Sequence, residues 1–407
     1  MPKISFDAAM YFVVLFMAFA VPLSTAAASI AVGLGTLFII VHSVRARKFP
    51  TFDAKILEVL AVYIVCQIFT AITSWNPSIS LREVVGEVHR FFPLIFAMTF
   101  IKRREQLGGV LIATLLASLI NDAAGIFQCL VQGAPRAYGF NHTPTFYGSF
   151  MLIQLPVMIF IAQSEFLSPL WRRLALVGAG LSLICLVLSM TRGAWLALVA
   201  CVVIFVVPEK KYRRMTAKIC AGLAIVFVIV AAMSPKIQDR LTTLTDANFQ
   251  SNSERLLMWQ SAVEIFRDYP IYGVGQKMFF TAYNEQYISP EAKERPGDGM
   301  RGHTHPHNNF LHRASEGGLI GLLSFVGLYA YFFWKFFRQF RRERRFAFGA
   351  GMTAFMILAA LQLEGLTDTN MNQVPIMREF WLIAGTMLAA DNILNRGEFF
   401  DNRRKNF

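Results

Sequence analysis

The sequence predicts an all-α polytopic membrane protein of about twelve transmembrane helices, with one large, partly helical loop. Three observations predict it. The 407 residues are 55% hydrophobic and only 16% charged, where a soluble domain carries about a quarter charged residues. Apolar runs near the ~20 residues that cross a bilayer as a helix recur along the whole chain, and the mean hydropathy is +0.47. The formal charge of +13 is concentrated in clusters instead of being spread along the chain.

The apolar runs lie near 8–24, 25–43, 55–73, 84–101, 107–130, 146–164, 174–190, 194–207, 217–235, 312–334, 347–366 and 380–395. Basic clusters then fall at every second connection: RARK at 45–48, KRR at 102–104, WRR at 171–173, EKKYRR at 209–214, KFFRQFRRERR at 335–345 and NRRK at 402–405. The positive-inside rule makes that face, with both termini, cytoplasmic. The surplus charge is therefore a topology signal, and no nucleic-acid partner is expected. Lys3, the following apolar run and STAAAS at 24–29 have the look of a signal peptide. The apolar pattern resumes at once through Ile40, which suits a helical hairpin better. The five cysteines lie in or at the ends of apolar runs without a C-x-x-C pair, so neither a disulfide frame nor a thiolate metal site is indicated. Residues 1–407 read as a single transmembrane domain, with 235–311 a large loop between the ninth and tenth membrane helices.

Four outward connections carry notable polar residues: 74–83, 132–148, 188–197 and the long loop from about Ser234 to Leu311. Loops of that length tend to be functional. Within it, KIQDRLTTLTDANF is a candidate amphipathic helix. SNSERLLMWQSAVEIFRDYP is a stronger one: Ser251 and Glu254 have capping-box spacing, and Leu256, Trp259, Val263 and Phe266 make one apolar face. That face could guide a lipid tail or an acceptor, or simply pack on the helix ends.

Arg192 interrupts two apolar runs in TRGA. Facing hydrocarbon it would cost at least ~2.5 kcal/mol. It is either a snorkelling anchor or part of an anion site, in company with Arg136 and Arg255 on other outward segments. Guanidinium forks suit the paired oxygens of phosphates and diphosphates. Gly193 beside it would allow a close approach.

HTHPHNNFLH at 303–312 holds four of the seven histidines. His303, His305 and His307 share a face only on a straight strand, which Pro306 opposes, and no H-E-x-x-H or cysteine partner is present. A metal is therefore not expected. His307 precedes HNNFLHRASEGGLIG, where Asn308 or Asn309 can cap a re-entering helix. Gly317, Gly318 and Gly321 read as a small-residue helix-packing patch. A histidine at that boundary can take a proton from a hydroxyl. Glu316 and Asp368 stand isolated, leaving no outward carboxylate cluster for Mg²⁺.

His307-Asn308, nine residues, Gly318, two residues, Gly321 resembles the HN-x9-G-x2-G signature of bacterial O-antigen ligases. SMTRGAW and SERLLMWQSA…FRDYPIYGVG resemble the same superfamily, which also includes O-antigen polymerases. The likeness covers about 188–321; His303 and His305 are not part of it. It implies a multi-pass glycosyltransferase of the bacterial inner membrane, similar in fold to the GT-C type and facing the periplasm. The implied donor is an undecaprenyl-diphosphate-linked O-antigen and the implied acceptor lipid A-core, among membrane lipids and with no cofactor. It carries essential roles onto Arg192, Arg255 and His307. His307 would then be the base and Asn308 would orient it or the acceptor. Arg192 and Arg255, with Arg136 a third candidate, would hold the diphosphate in metal-independent, inverting transfer. An O-antigen polymerase would use the same donor with a polyprenyl-linked acceptor. A lipid-linked oligosaccharide transporter should show repeated halves and broken midplane helices, and neither is evident.

Overall fold

The computed structural model describes residues 5–141, 143–206, 250–295, 300, 302–343 and 348–404, with scattered positions between 221 and 238. Among the described residues the protein is all helical, with no strand. The helices of ten residues or more among them are α1 Phe6–Ala20, α2 Thr25–Ala46, α3 Ala54–Ile72, α4 Pro77–Phe100, α5 Arg104–Leu130, α6 Pro144–Gln163, α7 Pro169–Leu188, α8 Arg192–Cys201, α9 Gln250–Asp268, α10 Asn309–Arg342, α11 Ala350–Glu364 and α12 Val374–Arg404.

Their beginnings are written locally. Ser5, Ser24, Asp53, Asn76 and Thr143 each accept a backbone N–H from their helix's first turn, and Pro77, Pro144 and Pro169 occupy first positions that need no donor. Six of the helices (α2, α3, α5, α6, α7 and α10) are long and apolar enough to cross a membrane, and α1, α8 and α11 are shorter apolar ones. α4 and α12 are long, but α4 carries Arg82, Glu83, Glu87 and Arg90, and α12 carries Arg378 and Glu379. Eleven of the twelve expected apolar runs thus coincide with helices. The run at 217–235 lies outside the described residues except for a few positions, as does KIQDRLTTLTDANF except at position 238.

The chain is a multi-pass membrane protein. Among the described candidate spans α6 is the most enclosed, packed among α7, α11 and α12. Val62, Val65, Val199 and Leu323 remain exposed on the outer surface of the bundle, where lipid instead of water is the neighbour.

Two local readings are corrected. α9 begins at Gln250, so Ser251 lies inside the helix and is not its cap. Its buried stripe is Leu257, Met258, Ala262 and Ile265, packed with Val274, Met278, Phe279 and Tyr283, while Leu256 is 51% exposed. Two adjacent apolar stripes run along this helix, and only its partners, α10 and the 274–292 segment, select between them.

The glycine patch also works differently from a helix–helix contact. Gly318 adopts φ 58°, ψ −154° and kinks α10 in its third turn. Chain segment 270–275 docks against the break: Leu319 N–H donates to the Pro270 carbonyl (2.7 Å), Ile320 N–H to Ile271 (3.1 Å), and Gly275 N–H to Glu316 (2.8 Å). A Cβ at 318 would run into the Ile271 backbone. That backbone region is essentially reserved for glycine and costs other residues about 1–3 kcal/mol. Gly318→Ala should therefore lower the thermal unfolding temperature of the purified protein, more than Gly327→Ala on the same helix, where a Cβ meets nothing. Equal effects at the two positions would refute the role given to the kink.

Candidate active site

α10 starts at a clamp made by two asparagines. Asn308 is the N-cap: its Oδ1 accepts from Phe310 N (2.9 Å) and Leu311 N (3.0 Å). Its Nδ2 donates to the Leu366 carbonyl (2.8 Å), and its backbone N–H donates to Thr369 Oγ1 (3.1 Å). Asn309 N–H donates to the Gly365 carbonyl (2.7 Å), its Nδ2 to Asn370 Oδ1 (2.7 Å), and its Oδ1 accepts from Met371 N (3.2 Å). The head of α10 is thereby fixed to the 365–373 connection between α11 and α12. The Asn308 amide is committed to this clamp at both ends, so it sets the backbone that carries His307.

His307 sits just before the cap with φ 51°. Its Nδ1 lies 3.3 Å from Asp368 Oδ1. Asp368 is therefore not isolated, and 61 residues of chain separate the two partners. Thr369 N–H also donates to Asp368 Oδ1 (2.7 Å). Burial by itself would raise the Asp368 carboxyl. The hydrogen bond and charge of His307, then Arg255 and the Thr369 amide, outweigh it and hold it below the usual carboxylate range. An ionised Asp368 favours the tautomer with the proton on Nδ1, leaving the Nε2 lone pair as an acceptor. Glu316, the other carboxylate read as isolated, lies 3.2 Å from His312 Nε2 and accepts from Phe279 N (3.1 Å).

The other histidines gather around this pair. The ring of His305 stands edge-on to His307, with centroids 4.5 Å apart, and His305 and His303 lie 6.4 Å from His312 and His307 respectively. Burial, then the neighbouring His307 and His312, push His305 down to about 3. Burial and His307 also lower His303. Among the described residues no group of three or more His, Cys, Asp or Glu is arranged to hold a metal ion.

Arg192 opens α8 and is only 8% exposed. Its Nη2 donates to Asn252 Oδ1 of α9 (2.8 Å), so the side chain turns into protein instead of snorkelling along lipid. A Cβ on Gly193 would lie 2.6 Å from Thr367 Oγ1; the close approach that this glycine permits is to the 365–373 connection. Arg255, three residues after Asn252, acts electrostatically on both Asp368 and Glu364. α9, the start of α10 and the 365–373 connection thus bring Arg255 and His307 to Asp368, and Arg192 joins the same α9 through Asn252. Arg136 has a different position. Its Nε donates to the Ser189 carbonyl (2.7 Å) and its Nη2 to Thr191 Oγ1 (3.3 Å), bracing the turn that presents Arg192.

Residues 177–326 match the family model for O-antigen ligase. Over those residues the chain is similar to the O-antigen ligase superfamily. Members of this superfamily are membrane enzymes of glycosyltransferase type. The match takes in Arg192, Arg255, His307, Asn308 and the Gly318 kink, whereas Arg136 and Asp368 lie outside it. No curated protein matches the chain. Asp368, Asn252 and the contact of His305 with His307 carry no local sign in the sequence as site features, with one exception. The one available signal for Asp368 was its place in TDTN, a polar run breaking two apolar helices.

The histidine cluster predicts a pH effect. A histidine whose folded pKa is lowered binds its proton more readily when unfolded, so stability rises with pH up to the unfolded value and falls on acidification below it. The unfolding temperature should drop between about pH 6.5 and pH 5, and His305→Gln should flatten that drop. Asp368, lowered in the fold, should contribute to the loss only below about pH 4. A pH series of thermal unfolding on both proteins checks the signs.

Proposed function

We propose that this protein is an O-antigen ligase, moving O-antigen polysaccharide from undecaprenyl diphosphate to lipid A-core at the periplasmic face of the bacterial inner membrane. The reading takes residues 1–407 as one twelve-span domain of GT-C type, with both termini cytoplasmic and 235–311 as its periplasmic loop. The observation that carries it is the His307–Asp368 pair with Arg255 acting on it electrostatically and Arg192 held to the same helix through Asn252, in a chain whose 177–326 segment matches the ligase family.

In this mechanism an acceptor sugar hydroxyl approaches His307 Nε2. The hydroxyl oxygen attacks the anomeric carbon from the face opposite the diphosphate, and a new glycosidic bond forms with inversion. The bond from that carbon to the diphosphate oxygen breaks, and its electron pair leaves with polyprenyl diphosphate. The hydroxyl proton passes to His307, and Asp368 stabilises the resulting imidazolium. Arg192 and Arg255 meet the charge that grows on the leaving group. The donor set suits guanidinium more than metal chemistry, because the nearby carboxylates already have partners. Asp368 holds His307, Glu364 accepts from Ser149 (2.9 Å) and Asn370 (2.9 Å), and Glu316 faces His312. Asn308 acts by holding the His307 backbone, and Arg136 by supporting the Arg192 turn.

His307→Ala should remain in the membrane yet transfer about 10²–10⁴-fold more slowly, the usual span of general-base catalysis. Arg192→Ala should lose about 10²–10³-fold, as for removal of one charge-stabilising donor. Full transfer by a well-expressed His307→Ala protein, in proteoliposomes holding donor and acceptor, would remove the mechanism.

The acceptor is tested in cells lacking the protein. Long polymer retained on the polyprenol beside bare lipid A-core is the expected lipopolysaccharide pattern. Lipid A-core bearing single repeat units would instead identify a polymerase.

A further inference from the structure

Arg90 on α4 and Arg378 on α12 are buried cations that the transfer mechanism does not use. They are 4% and 8% exposed and lie within electrostatic reach of each other. Arg90 is paired with Glu83 and donates through Nη1 to the Asn372 carbonyl (3.2 Å) and its Oδ1 (3.4 Å). Arg378 donates through Nη1 to Ser29 Oγ (2.7 Å) and to the Thr25 carbonyl (3.1 Å). Among the described residues it has no carboxylate within ion-pair distance, and the Nε of each arginine has no hydrogen-bond partner. Glu83 also faces Lys277 at 3.8 Å. One carboxylate thus serves two cations, Arg90 and Lys277, and among the described residues none is within ion-pair distance of Arg378. The neighbouring Glu87 pairs with Arg313 (2.6 Å) and reaches Arg90 only electrostatically.

A buried charge is tolerated when it is paired and hydrogen-bonded, and like charges brought together make the deficit larger. We propose that Arg90 and Arg378 form a second anion site, for the phosphate of a membrane-lipid headgroup. Asn372 belongs to the same 365–373 connection that carries Asp368, so the site opens at the His307 end of the bundle. Ser29, on the Arg378 side, is exposed, and Ile30 beside it is 59% exposed. A headgroup can therefore enter from the surrounding lipid. Guanidinium forks with free Nε donors suit phosphate oxygens better than a point charge does. This inference does not rest on the transfer reaction.

The test is thermal unfolding of the full-length protein in uncharged detergent, with dioctanoyl phosphatidic acid, dioctanoylglycerol or inorganic diphosphate added. Phosphatidic acid should raise the unfolding temperature by about 2–4 °C, in the parent protein and equally in Arg192→Ala. Dioctanoylglycerol should not. Arg378→Gln should lose the increment, and Arg378→Lys should keep part of it. In Arg192→Ala, where the diphosphate site of the transfer reaction is disabled, the same increment from inorganic diphosphate as from the lipid would overturn the headgroup assignment in favour of a free anion. An undiminished increment in Arg378→Gln, or none in the parent protein, would overturn the site altogether. A merely bracing Arg378 would show itself otherwise: Arg378→Gln would lower the ligand-free unfolding temperature and leave the increment intact.

Discussion

The clamp between Asn308, Asn309 and the 365–373 connection is the interaction on which the rest of the site depends. A connection packed against the ends of apolar helices has little water to satisfy its backbone, and each unsatisfied polar group costs about 1–3 kcal/mol. The two asparagines answer this directly, taking the carbonyls of Gly365 and Leu366 and the amide of Met371. Consequences follow in sequence. With Asn308 pinned, His307 must turn through a left-handed conformation, and that turn lays its ring beside Asp368. With the connection pinned, Asn370 reaches Glu364 and Thr367 closes on Gly193. The helix cap and the histidine–aspartate pair are therefore one construction.

A second constraint comes from the kink at Gly318. An unbroken α10 would satisfy its own amides and offer nothing to 270–275. The break frees Leu319 and Ile320 N–H for Pro270 and Ile271, and in doing so anchors the end of α9. α9 then holds Asn252 against Arg192 and Arg255 near Asp368. One glycine in the third turn of a membrane helix thus helps to determine where two arginines from elsewhere in the chain are found.

How much of this was legible beforehand depended on whether the signal was local. Hydropathy located eleven helices because the preference for lipid acts residue by residue. Arg192 stood out because a charge in an apolar run is costly wherever the chain goes. His307 and Asn308 stood out because a cap must immediately precede its helix. Asp368 was not legible, since its partner lies 61 residues away and a lone carboxylate in sequence carries no sign of its neighbour. The buried stripe of α9 was misread by one position because Leu256 and Leu257 are equally apolar, and only tertiary contact separates them. The glycine patch was read as sterics when its decisive property is the backbone angle of one member. The arginines were the hardest to sort. Arg136, Arg192 and Arg313 look alike in sequence, yet one braces a turn, one meets α9, and one neutralises Glu87 inside the bundle.

The position of Arg192 carries a further argument. As the first residue of α8 it places a guanidinium at the helix end where unpaired N–H groups already concentrate positive potential. A cation there is disfavoured by about 0.3–1 kcal/mol at an exposed helix, and by more where water is excluded. Arg255 brings a second cation to α9, the helix that holds Arg192 through Asn252, and acts electrostatically on Asp368. A fold shaped by stability alone would place an aspartate or a serine at the start of α8. Helix terminus and guanidinium together make the kind of environment in which a diphosphate is stabilised. The positive charge that α8 tolerates at its start is what a leaving diphosphate requires, and the ligase reading gives that cost a purpose.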